Sequence, residues 1–298
     1  MIVLTAITSL LLAMADPAAV DPIYGGEPAT EAGLESAVFL RAHHRNCSAV
    51  MVSETVGLTA AHCLAEMKFG QQVTATFGPS TIGGQPFQVS RWGVHPGYCP
   101  GCDEDPLDLG FIETTLPMEG VVDPAVPIVT QSDWDALMRP GQVLTAVGYG
   151  LDGTDAAARE RRRIEVVIDE VAKNGRELIT IPRGGGTCDG DSGGPLFGRL
   201  DDGSLRVVGI HSRSVGGCPS DWSVAAVPYR ELCWLRDETE LDLLAPGDDD
   251  CRMLDTMREG CRVAPRPVGW AHCLGLLMLV LGSRSRRSPS ACGSDCSS

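Results

Sequence analysis

Three short stretches carry residue types that do nucleophilic chemistry. The segment "TCDGDSGGPLF" (187–197) crowds Ser192 between Asp191 and a Gly-Gly pair, four residues after Cys188. Gly and Asp are poor formers of helix and strand, and Gly serves backbone conformations that other residues avoid. A turn between strands accounts for that composition. A serine standing exposed beside converging backbone N–H groups accounts for it too, and adds a function. "LTAAHC" (58–63) offers His62, and "PLDLGF" (106–111) offers Asp108. A serine hydroxyl is a weak nucleophile until a base takes its proton, and an imidazole titrating near neutral pH suits that task.

Positioning these groups requires a scaffold of many short elements. The runs "AVFLRA", "SAVMVS", "QVTATFG", "QVLTAVGYG", "RRIEVVIDEV", "ELITI", "RVVGIHS" and "SVAAVPY" are rich in Val and Ile or alternate apolar with polar. Such runs are strands, and their spacing predicts an all-β sandwich or barrel between about Ile23 and Leu244. One helix is expected near its end, in "PYRELCWLRDETELDLL", where apolar residues recur at three and four. Thirty-five Gly and 20 Pro agree with strands and turns. The chain of 298 residues has a formal charge of -15 and lysine only at 68 and 173, which argues against nucleic acid as a partner.

The two ends read differently. "MIVLTAITSLLLAMA" is apolar and closes on a small-x-small pattern at Ala13 and Ala15, as in a secretory signal peptide of residues 1–15. A propeptide, 16–22, then precedes the domain, 23–245. Export makes the twelve cysteines a disulfide resource. Residues 246–267 are acidic and bear Cys251 and Cys261, as in a linker or a small stapled segment. Residues 268–298 contain "VGWAHCLGLLMLVLG" followed by Arg284, Arg286 and Arg287. That apolar run is shorter than the roughly 20 residues of a spanning helix, and the arginines would hold the C-terminus on the cytoplasmic side. A membrane anchor and a temporary tag that is later cut both fit. Either way the domain is secreted or held on the outer surface of the cell envelope.

In this order, "LTAAHC", "PLDLGF" and "TCDGDSGGPLF" resemble the chymotrypsin-like and trypsin-like serine proteases, over about Ile23 to Leu244. The resemblance implies two antiparallel six-stranded β-barrels with a C-terminal α-helix, and an endopeptidase acting on proteins or peptides. It implies that His62 is the base, Asp108 the acid that orients it, and Ser192 the nucleophile. Gly190 and Ser192 would supply the N–H groups of an oxyanion hole. Ile23, freed by proteolysis as an ammonium, would pair with Asp191 inside the domain. Tyr24 and Pro22 depart from the family pattern at that cut, so an activating protease other than trypsin is implied. The resemblance also implies Cys47–Cys63 and Cys188–Cys218 bridges. Cys99 and Cys102, in "YCPGC", are expected to close a small ring, and Cys233 to pair with Cys251 or Cys261.

The implied substrate pocket draws on Gly186, Thr187, Asp189, His211, Ser212, Ser214 and Ser223. Gly186 stands where trypsin-like members carry aspartate, which disfavours cleavage after Lys or Arg. Arg213 and Ser214 replace a more usual Trp-Gly. Glutamate-specific members carry a histidine at the place of His211, with hydroxyl residues nearby, here Thr187 and Ser214. Cleavage after Glu or Asp follows from that match, whereas Asp189 at the mouth and Ser223 near the floor speak for a small residue; both readings stay open. "ARERRR" (158–163) is expected to be a solvated charge run that opens a strand. The tail resembles bacterial C-terminal sorting tags, with Gly260 and Cys261 as the motif, which would make sorting machinery or a membrane its partner. No spacing points to a cofactor or a metal. Two other classes compete with the enzyme: a catalytically silent binding module of the cell envelope on the same fold, and an inert structural protein. The complete triad and Gly190 argue against both.

Overall fold

A computed structural model describes residues 23, 25–68, 70–102, 107–150 and 159–244. The expected signal peptide, propeptide, linker and tail lie outside these residues. A two-residue strand, β1 (Glu27–Pro28), comes first. Then follow β2 (Ala37–Ala42), β3 (Arg45–Met51), β4 (Val56–Thr59), β5 (Val73–Phe77), β6 (Gln85–Val94) and β7 (Gly110–Thr114). These six close a barrel in the order β2-β3-β4-β7-β6-β5. The second half supplies β8 (Val143–Gly148), β9 (Arg162–Val171), β10 (Glu177–Pro182), β11 (Pro195–Arg199), β12 (Leu205–Val215) and β13 (Trp222–Ala226). They run β9-β10-β13-β12-β11-β8, and the β8–β9 pairing closes the ring, with β1 added beside β9. The fold is therefore two six-stranded antiparallel barrels.

Period-two burial marks β9 as a strand, whereas β2, β4 and β11 are short apolar runs buried on both faces. In β9, Ile164, Val166 and Ile168 point inward and Glu165 outward, as side chains alternate across a pleated strand. Each fully buried Val, Ile or Leu contributes about 1.5–3 kcal/mol relative to exposure. Val38, Leu40, Ala49, Met51 and Ile112 fill the first barrel. Ile164, Val166, Ile168, Leu178, Leu196 and Val208 fill the second. A third cluster joins them, packing Leu58, Leu109 and Phe111 of the first barrel with Val147, Phe197 and Ile210 of the second. Among the described residues, closing the barrels leaves no long free sheet edge except where β12 runs past its partner β11 beyond His211.

The expected C-terminal helix is present but shorter than its pattern predicts. A 3-10 turn occupies Pro228–Glu231, and the α-helix proper covers only Leu232–Thr239. Glu240 takes a left-handed φ of 60° and ends it, so apolar spacing as far as Leu244 is not helical. Two short helices escaped the pattern: α1 (Ala61–Leu64) and α2 (Gln131–Leu137). Thr130 caps α2, its hydroxyl oxygen accepting the Asp133 N–H at 3.1 Å. The C-terminal helix, Leu232–Thr239, is α3. Among the described residues no helix is long and apolar enough to cross a membrane.

Candidate active site

The first barrel supplies a histidine and an aspartate. His62 sits in α1, directly after β4. Its backbone N–H donates to Asp108 Oδ1 at 2.8 Å, and its Nδ1 lies 2.8 Å from Asp108 Oδ2. Ser212 Oγ–H reaches across from the second barrel to the same Oδ2 at 2.6 Å. An ionised carboxylate only accepts, so the Nδ1 side of the ring carries the hydrogen and Nε2 is left with its lone pair. Asp108 is buried two residues ahead of β7, after Leu107 with its left-handed φ of 45°. Burial pushes the Asp108 carboxyl up, but the hydrogen bonds and charge of His62, with the Ser212 hydroxyl, outweigh it and hold the group below the usual carboxylate range. The Cys47–Cys63 bridge ties α1 to β3.

Ser192 stands in the turn before β11, half-buried. The turn is pressed against the first barrel: Ser48 N–H donates to Ser192 O at 2.8 Å, and Ser48 Oγ–H donates to Gly190 O at 2.9 Å. This close approach explains the glycines. Gly193 has a φ of 83°, and a Cβ there would run into Thr59 Oγ1 and Ser48 O. Gly190, at φ 100°, likewise uses a conformation closed to most side chains. Asp191, Gly193 and Gly194 N–H groups all have backbone acceptors, whereas those of Gly190 and Ser192 have none among the described residues. Ser192 Oγ makes no hydrogen bond with another described residue, so the serine–histidine contact is open here.

Asp191 points the other way, into the domain. It is 2% exposed; Oδ1 accepts from Gly150 N–H at 2.7 Å and Oδ2 from Cys188 N–H at 2.9 Å. A Cβ on Gly148 or Gly150 would collide with its carboxylate. Burial drives its pKa up to about 7, against the pull of those two N–H groups and of Arg159, with Asp189 adding to the rise. Ile23 is wholly buried and held at a φ of 43°. The segment after it is clasped by arginines that were expected to be solvated. Arg161 is buried and donates to Ala29 O and Glu35 O, Arg162 donates to Gly26 O, and Arg163 pairs with Glu27 and Glu31. The charge run does open β9, as expected, but its arginines bind acceptors that lie 126–136 residues away in sequence, which charge patterning alone does not show.

A cavity of about 380 Å³ opens beside Ser192, lined among others by Asp189, His211, Ser212, Arg213 and Ser214. Behind it lies a connected set of hydroxyls. Thr187 Oγ1 is 2.8 Å from Ser214 Oγ, 2.7 Å from Ser223 Oγ and 3.1 Å from Ser220 Oγ. Ser214 Oγ is 3.2 Å from His211 Nε2. Burial pushes the His211 pKa down to about 4, and nearby His62 lowers it further against the opposing pull of Asp108, so the ring is neutral near pH 7. Gly186 is packed so closely on Pro219 and Ser220 that a Cβ would clash. Asp189 is exposed at the rim. Ser220, buried and accepting Thr187 N–H at 3.1 Å, belongs to this network and was not anticipated; its place after Cys218-Pro219 was the only signal. A second cavity of about 280 Å³ is lined by His62 itself, with Tyr98, Cys99, Pro100, Cys102 and Arg213.

Three bridges are formed as paired above: Cys47–Cys63, Cys99–Cys102 and Cys188–Cys218. Cys233 is bridged too, and its expected partners, Cys251 and Cys261, lie outside the described residues. Cys47, His62 and Cys63 bring ligand-type atoms within 4.8 Å of one another, but the two sulfurs are bonded to each other and offer no thiolate.

Two barrels with a histidine–aspartate pair on one and a glycine-flanked serine on the other define a serine endopeptidase. The trypsin family model matches residues 23–228, and the chain belongs to that family. Relatives include a "Trypsin-like protease" of Streptomyces glaucescens, 27% identical over 224 residues (70% of this chain and 78% of the relative). "Fibrinolytic enzyme, isozyme C" of Lumbricus rubellus is 25% identical over 222 residues, covering 65% of this chain and 88% of the relative.

Proposed function

We propose that the chain is a secreted, zymogen-activated endopeptidase that cuts after Glu or Asp. The observation that carries the mechanism is the hydrogen-bond chain Ser212–Asp108–His62, whose first member, Ser212, also lines the cavity that opens beside Ser192. In this reading Nε2 takes the Ser192 proton as Oγ attacks the substrate carbonyl, and Asp108 stabilises the imidazolium that results. The oxyanion then meets the Gly190 and Ser192 N–H groups, each donor being worth about a hundredfold to a thousandfold in rate. His62 returns its proton to the leaving amine, and water repeats the cycle on the acyl-enzyme. A substrate strand is received on the edge of β12 beyond His211, whose own N–H and C=O are taken by Gly194 and Gly193.

Activation by a separate protease that cuts after Pro22 fits two strained features of the uncut chain. Asp191 is buried without an ammonium partner among the described residues, and Ile23 holds a left-handed φ that costs a β-branched residue about 1–3 kcal/mol. A cut ahead of Ile23 supplies the ammonium and abolishes that φ restraint together. The leader 1–15, the propeptide 16–22, and a tail that meets a membrane or sorting machinery belong to the same reading.

Specificity rests on the Thr187–Ser214–His211 chain. A carboxylate entering this pocket can accept from the Ser214 hydroxyl and the His211 imidazole, groups that beside a small apolar side chain would go on bonding each other. Asp189 opposes an acidic residue, but at the exposed rim its repulsion is screened. The test is a pair of peptides differing only in Glu or Ala before the cut bond. His211→Ala is expected to lower kcat/KM for the Glu peptide by about a hundredfold and to leave the Ala peptide nearly unchanged. Equal loss for both, or faster cleavage of the Ala peptide by the parent, overturns the acidic pocket. A serine-directed covalent probe should label the parent and not Ser192→Ala; no labelling of the cleaved parent overturns the mechanism itself.

A further inference from the structure

We propose that the buried His95–Glu231 pair is a positioning device for Asp108, locking the loop that carries it onto the C-terminal helix. This rests on the triad assignment above. Both side chains are 5% exposed, and His95 Nε2 is 2.9 Å from Glu231 Oε2. Gly97 N–H donates to His95 Nδ1 at 3.1 Å, which sets the tautomer: Nε2 carries the hydrogen and donates it to the carboxylate. The ring stands edge-on against Trp234 at 4.8 Å. Arg176 Nε lies 3.1 Å from the other carboxylate oxygen, off-line for a hydrogen bond, so this is a charge contact.

Three elements converge on Glu231: the end of β6, the β9–β10 turn and α3. A carboxylate buried among them is costly unless it is paired, so its partners are tightly specified. His95 passes that constraint to the catalytic loop through its backbone. Its N–H donates to Leu109 O, one residue from Asp108, at 2.9 Å, and its C=O accepts Tyr98 N–H at 2.9 Å. Tyr98 and the Cys99–Cys102 ring wall the cavity beside His62. The point where His95 meets Leu109 is therefore held by one imidazole that faces the Glu231 carboxylate at the N-cap of α3. A shift of about 1 Å in a catalytic group costs on the order of a hundredfold in rate, so a clamp at this base bears on the Asp108–His62 distance.

The experiment uses the full chain, cleaved ahead of Ile23, with active sites counted by a serine-directed titrant. His95→Phe keeps a ring against Trp234 and removes the donor. Per titrated site, kcat should fall at least about tenfold, the cost of one charge-assisted hydrogen bond, while KM stays within about twofold. The acid limb of the kcat/KM profile should move to lower pH, because a displaced Asp108 stabilises the His62 imidazolium less. His95→Gln, which can still present a donor at the Nε2 position, should recover most of kcat and return the limb. Glu231→Gln keeps the shape without the charge and should show the same split if the phenylalanine variant does not fold. Unchanged kcat per titrated site and an unmoved acid limb, with only the melting temperature or titratable fraction reduced, would overturn the proposal. Asp108→Asn run alongside separates the two levels: if it too leaves kcat and the limb unmoved, the triad assignment is what fails.

Discussion

Asp191→Asn separates the burial of a charge from the activation of the enzyme. Among the described residues of the uncut chain the two carboxylate oxygens accept backbone N–H groups, of Gly150 and Cys188, and burial raises the pKa to about 7. An aspartate in the unfolded chain titrates near 4. Between these values the folded protein holds a proton that the unfolded chain has released, so stability falls as pH rises. Roughly three pH units at about 1.4 kcal/mol each give a total loss of about 4 kcal/mol, of which about 2–3 kcal/mol falls between pH 5 and pH 8. Urea unfolding of the uncut chain at those two pH values, on a Ser192→Ala background with disulfides intact, measures it. The Asp191 form should lose about 2–3 kcal/mol more than the Asp191→Asn form on going to pH 8. After the cut ahead of Ile23 that difference should vanish, because the ammonium then favours the charged carboxylate. On the active Ser192 background the cut Asp191→Asn form should be far less active than its parent. Parallel pH dependence of the two uncut forms would refute the reasoning.

Other perturbations act at separate points. Ser212→Ala removes a 2.6 Å hydrogen bond to the Asp108 carboxylate, so kcat should fall about tenfold to a hundredfold with little change in KM. Arg163→Gln removes the Arg163 ion pairs to Glu27 and Glu31, leaving Glu31 paired with Arg199; partly exposed pairs are worth up to about 1 kcal/mol each. The titratable fraction of the cut enzyme should drop severalfold, and adding an Ile-Tyr dipeptide in trans should restore it. Tyr149 is buried with its hydroxyl on Gly78 O at 2.6 Å, and burial pushes its pKa up to about 12. Tyr149→Phe should lower the melting temperature by about 2–8 °C without altering kcat per site.

Strand β9 was legible because period-two patterning records which face a residue shows to the core, and β2 because it is a short apolar run buried on both faces. "AVFLRA" and "RRIEVVIDEV" coincide with β2 and β9 to the residue. Strand β6 was not, since "QPFQVSRWGV" is largely exposed or half-buried and carries no clean alternation. The C-terminal helix was overextended because apolar spacing does not report the left-handed turn at Glu240. At the site, glycines at positive φ and residues beside cysteines were visible as motifs. Ser220, the arginine clasp and the His95–Glu231 pair were not, since each acts through a partner 33–136 residues away in sequence. Long-range polar contacts leave no local pattern. His95 sits in an ordinary-looking "VHPGY", and Glu231 in a helix start.

Cleavage-site profiling tests the central claim most directly. The domain beginning at Ile23 is given a complex peptide mixture, with Ser192→Ala as the control. New termini that depend on Ser192 and follow Glu or Asp are the predicted result. Ser192-dependent cuts after small residues would contradict the acidic pocket, and identical peptide sets from both samples would contradict the hydrolytic mechanism.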